Sequence, residues 1–239
     1  MAVGYKSFPA EADASSGAVH DQGAHFTESP FSSSRISTVI QILVGYLLII
    51  AAIWTASGVI QAIWMLSATV AICLFVFRGN RKLADLGLRA PTRFATFQIL
   101  VVTTMAAVMI FAAALLIGQT IPATPHWPST AAMVEYLPWA YLQEFILQSF
   151  FFLSMESIVG GKRAVWLAAL LFALAHIPNP ILTIATFLGA LFFCEMFRRH
   201  RSLLPMGLAH AALGIALAFC VPTPWIHHMR VGIGYLRFT

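Results

Sequence analysis

The chain has 239 residues, of which 59% are hydrophobic and only 10% charged, with a formal net charge of +5. A soluble domain carries about a quarter charged residues, so this composition excludes one and points to a single polytopic membrane domain. The basic residues lie in short loops between apolar runs rather than on a stripe interleaved with aromatics, which excludes a nucleic-acid surface.

Residues 1–35 are rich in Ser, Ala, Gly and His. They lack the basic start and apolar core of a signal peptide and read as a disordered tail. The membrane domain is expected over 36–221. Residues 36–77 are apolar throughout, and a membrane helix needs about 20 residues. Two helices therefore fit, joined near "TASG" (55–58). The polar loop 78–93 follows, then a third span over 94–118. A Pro-rich loop without Lys or Arg, 119–136, leads to a fourth span that begins at Pro138 and ends near Ser157. "GGKR" (160–163) makes a tight turn. A short helix, 164–177, stops at "PNP" (178–180); spans over 181–197 and 203–221 complete a set of about seven. Residues 222–239 are too mixed to span and read as an interfacial tail. The fold class is an all-α polytopic membrane helix bundle.

The basic loops test this layout. Arg35, the 78–93 loop, Lys162–Arg163 and Arg198–Arg201 all fall on one side, as cytoplasmic loops should. The N-terminus is then cytoplasmic, and the expected location is a bacterial inner membrane.

Three cysteines, Cys73, Cys194 and Cys220, sit in apolar runs without CxxC spacing and read as small buried hydrophobes. Of the nine acidic residues, only Glu144 falls well inside a span. A carboxylate at that depth costs roughly 2.5–3.5 kcal/mol on insertion scales, so it is turned inward and paired. Tyr141 and Gln148 share its helix face, three residues before and four after. Gln143 is displaced by about 100°.

Two histidines, His176 and His210, also lie in apolar surroundings. Each alone reads as a satisfied core residue. Together with Glu144 they form a set that could bind a divalent metal such as zinc or activate a water. His20, His25, His126 and His200 lie in polar segments, and His227–His228 follow Trp225 as interfacial anchors.

The order of these residues resembles the CPBP family of intramembrane proteases, which includes the CAAX prenyl endopeptidases and bacteriocin-immunity proteins. The likeness covers about residues 80–221 and rests on three signatures, EExxxR, FxxxH and HxxxN. The first stands here as Gln143-Glu144 with Gln148 at its Arg position. The second is intact as Phe172 to His176. The third keeps His210 and has Gly214 at its Asn position. The resemblance implies an intramembrane endopeptidase acting on a membrane-associated or lipidated protein. It names Glu144, His176, His210, Gln143 and Gln148 as site residues, with Glu144 activating water. It gives His176 and His210 to a metal or to the oxyanion. The substituted positions keep a second reading open: a pseudoprotease that binds a membrane segment as an immunity or assembly protein without cutting it. Pro138 as a helix start also leaves a depth mismatch. Glu144 would lie about 9 Å below the outer end of its helix and His210 about 10 Å above the inner end of its own.

Overall fold

The computed structural model describes residues 33–79, 81–119 and 129–237. The described residues are 82% helical, with no strand among them. All of the predicted tail but residues 33–35 lies outside this set, as does 120–128 of the Pro-rich loop with His126.

Helices α1 (Ser33–Trp54) and α2 (Val59–Arg78) form an antiparallel pair joined at residues 55–58, as the pattern predicts. α3 spans Arg93–Leu116, capped by the Thr92 hydroxyl, which accepts from the Ala95 amide. These three, with α7 (Pro180–His200), are long and apolar enough to cross a bilayer. Their large side chains face outward: Leu47, Ile60, Phe97 and Met109 are all exposed. Such a belt is costly in water and favourable in lipid, so the molecule is an integral membrane protein.

The fourth rod differs from expectation. α4 runs from Thr130 to Glu144, passes into a π-helical stretch, Phe145–Phe152, and continues as α5, Leu153–Val159. It starts eight residues before Pro138, because Ser129 caps it by accepting from the Ala132 amide. Pro138 sits inside, where a soluble helix would break; bundled membrane helices tolerate this, because neighbours re-satisfy the freed backbone. The earlier start removes the depth mismatch. Glu144 now lies about 21 Å along its rod at the α-helical rise, level with His210.

α6 (Gly161–Leu174) and α7 form a hairpin through the 175–179 turn, and α8 (Leu204–Cys220) packs between α3 and α4. Most of the buried core lies where the π stretch meets α6, α7 and α8. Phe150, Phe152, Leu147, Phe197 and Met206 are almost fully enclosed there.

The basic loops gather at one end, as the charge pattern predicts. The Leu203 amide donates to the Gly87 carbonyl, and Arg89 donates to the His200 carbonyl. Arg201 grips both oxygens of Glu156 at 2.6 and 2.7 Å. At the opposite end the C-terminal tail is more ordered than its mixed composition suggests. Short helices α9 (Thr223–Ile226) and α10 (Gly232–Leu236) fold back over the 175–179 turn. Asn179, fully buried, caps α7 through its oxygen, while its amide nitrogen donates to the Ile226 and Arg230 carbonyls. The Gly232 amide donates to the Ile177 carbonyl.

Candidate active site

A cavity of about 660 Å³ opens among α1, α2, α4, α6, α7 and α8. Its walls are mostly apolar, with a few polar groups converging: Gln143, His176, His210 and Tyr136. That combination is the usual form of a small-molecule or peptide site. The tail supplies part of the wall through Met229, Arg230, Ile233 and Arg237.

Glu144 and His210 meet directly. His210 Nδ1 lies 2.8 Å from Glu144 Oε1. The other carboxylate oxygen, Oε2, accepts from Gln148 Nε2 at 3.0 Å, within one turn of the same helix. A carboxylate only accepts, so Nδ1 carries the proton and the Nε2 lone pair of His210 is available on the far side of the ring. The ring is held flat against Phe193, 5.8 Å between centroids and 3° between planes, and edge-on to Phe172. Its freedom to rotate is therefore small.

The backbone explains why these two meet. Tyr141 and Gln148 flank Glu144 on the face that the sequence assigns to them. Tyr141 packs onto Gly207 of α8 and donates to the Leu204 carbonyl at 2.9 Å. A Cβ at Gly207 would overlap the Tyr141 ring, so glycine there lets α4 and α8 approach closely. His210 follows Gly207 by three residues and faces the same helix. The π stretch begins directly after Glu144, and such wide turns mark functional sites in many helices.

The structure divides the sequence-expected residues into two groups. Gln143, His176 and His210 line the cavity. Glu144 and Gln148 lie behind His210, both fully buried and outside the cavity wall. Water in the cavity thus meets His210 rather than the Glu144 carboxylate. His176 Nδ1 is 2.8 Å from the Phe172 carbonyl, one turn back in the intact FxxxH segment, and the two rings are 4.9 Å apart.

The donors do not suit a metal. Among the described residues no three His, Cys, Asp or Glu side chains cluster as a metal site requires. Both oxygens of Glu144 are committed to hydrogen bonds, and with each Nδ1 bonded the two histidines offer only their Nε2 atoms, fewer than the three protein ligands a metal site needs. The chemistry below is routed through no metal.

Residues 125–216 match a family model, that of the type II CAAX prenyl endopeptidase Rce1-like proteins. Over that segment the chain is similar to this family. The matched stretch contains Gln143, Glu144, Gln148, His176, His210 and Gly214. The Rce1-like family is one of proteases, and the apolar helix bundle described above is consistent with a membrane bundle of the CPBP type. No curated protein and no solved structure matches the chain.

Two features of the site escape sequence reasoning. Tyr136 falls in what reads as a loop before the fourth span. Asn179, inside "HIPNP", carries the one available signal, an Asn before a Pro, which marks a helix N-cap.

Proposed function

We propose that the chain is an intramembrane endopeptidase whose water is activated by His210, with Glu144 as its positioning residue. The observation that carries this is the 2.8 Å contact between His210 Nδ1 and Glu144 Oε1, with His210 in the cavity wall. The arrangement has the logic of a catalytic dyad: a buried carboxylate fixes the tautomer and stabilises the imidazolium that forms.

In the proposed reaction His210 Nε2 takes a proton from a cavity water as the water oxygen attacks the scissile carbonyl carbon. The carbonyl oxygen becomes an oxyanion, toward which Gln143 Nε2 can donate from the cavity wall. His210 then returns the proton to the departing amine nitrogen, the C–N bond breaks, and a carboxylic acid remains. His176 borders the same space and orients the peptide. A cavity built mostly of apolar side chains suits a membrane-associated or lipidated substrate. A prenylated peptide with a CAAX ending is the first probe, since the matched family is named for that activity.

One observation favours a second reading, that of a non-cutting binding protein. The closed Gln148–Glu144–His210 chain would also serve as a simple clamp between α4 and α8. The test is a mass-spectrometric comparison of new protein termini in membranes holding the native chain, His210→Asn or Glu144→Gln at matched levels. Termini lost in both variants support the protease. An unchanged set with folded variants supports the binding protein.

A further inference from the structure

Gly214 stands where the resembled family's third signature carries an Asn, and the space it vacates is filled. A Cβ built on Gly214 would overlap the Tyr136 Oη, Cε1 and Cζ atoms. The phenol of Tyr136 therefore occupies, from α4, the volume into which a side chain at 214 would project from α8. Tyr136 lines the cavity together with Gln143, two turns further along the same helix face, and with His210. Its ring is 6.5 Å from the His210 ring, centroid to centroid. Its hydroxyl makes no hydrogen bond to any described residue.

We propose that Tyr136 is a catalytic residue and that its hydroxyl is a donor to the oxyanion. This rests on the hydrolytic reading above. The glycine on α8 makes room and the tyrosine on α4 fills it. A donor near His210, on the cavity side, and without an acceptor among the described residues is placed to hydrogen-bond an oxygen that gains charge as water attacks. No proton leaves Tyr136; it donates a hydrogen bond throughout, while proton transfer runs between the water, His210 and the amine. A tyrosine that only packs on Gly214 would keep that packing as phenylalanine. That difference separates the two roles.

The experiment uses the full chain in proteoliposomes with a fluorogenic prenylated CAAX peptide, or with a substrate found from the termini comparison. Four variants are compared: Tyr136→Phe, Tyr136→Ala, Tyr136→Ala with Gly214→Asn, and His210→Asn. Loss of one oxyanion donor lowers kcat by about 10²–10³-fold. Tyr136→Phe is expected to show a fall of that order with KM nearly unchanged and with an unchanged melting temperature. The double variant should regain at least about tenfold over Tyr136→Ala, because an amide returns to the freed volume. A Tyr136→Phe variant with native kcat overturns the proposal, as does a double variant no faster than Tyr136→Ala. If His210→Asn cleaves as the native chain does, the hydrolytic reading falls and this proposal falls with it. If His210→Asn is inactive and Tyr136→Phe is not, only the assignment of Tyr136 falls.

Discussion

Replacing Glu144 by Gln separates catalysis from stability more sharply than any other single change. The native carboxylate is fully enclosed and holds two hydrogen bonds, from His210 Nδ1 and Gln148 Nε2. Gln148 Oε1 is itself buried without a partner. In Glu144→Gln the new amide oxygen can still accept from His210. The new NH2 group faces Gln148, whose amide can turn over and present its unpartnered oxygen. One end of the Gln148 amide stays without a partner, as in the native chain, and a buried carboxylate is gone, so the melting temperature should hold or rise. Catalysis should not survive. A hydrogen bond to a charged group is worth about 1.5–3 kcal/mol, and about 1.36 kcal/mol is tenfold in rate. Loss of charge support for the imidazolium therefore costs about 10–150-fold. An amide can also donate to Nδ1 and so reverse the tautomer; the matching change in a Ser-His-Asp triad costs about 10⁴. The expected fall lies between about 10 and 10⁴. It is read as initial cleavage rate in proteoliposomes beside thermal unfolding in detergent. A folded variant that cuts within about threefold of the native rate would refute the dyad, since transition-state loss of 1.5 kcal/mol already exceeds that.

Gln148→Leu leaves Glu144 Oε2 buried without a donor and should destabilise the fold by about 1–3 kcal/mol, seen as a lower melting temperature. Gly207→Val pushes the Tyr141 ring off α8 and strains its bond to the Leu204 carbonyl; a loss of about 1–3 kcal/mol is expected, with cleavage reduced because His210 moves with α8. Arg201→Ala removes an ion pair whose partners are each about a quarter exposed, together with ring contacts to Phe152 and Phe197. Screening limits the ion pair to about 1 kcal/mol, so a small shift in melting temperature with normal cleavage is the expected result. Cleavage should also be indifferent to a strong chelator, because the histidines offer only two Nε2 atoms and the Glu144 oxygens are already bonded; a chelator-sensitive rate restored by added zinc would refute that.

Much of the fold is legible in the order of residues. The turn at 55–58, the ends of α3 and the α7–α8 hairpin fall within a few residues of where apolar runs stop and basic loops begin. Those boundaries are set by transfer into lipid, which acts on composition alone. The start of α4 is not legible that way. Eight residues before Pro138 are only moderately apolar, and what makes them helical is the Ser129 cap and packing against α8. Tyr136 lies among them. The meeting of Glu144 and His210 could be foreseen, because a buried carboxylate needs a partner and few were on offer. Which of the two meets the cavity could not. That depends on the close approach at Gly207, which is a contact across 66 residues of chain from Tyr141 and leaves no mark on local periodicity.

The cavity wall is finished by residues 229–237, drawn from a segment that leaves the ribosome after every helix of the bundle. Asn179 waits, buried, for the carbonyls of Ile226 and Arg230, which arrive more than forty residues later. Until they do, its amide has no acceptor and the space beside His210 has an open side. That wall is therefore supplied by a segment translated after all the helices that build the rest of the cavity.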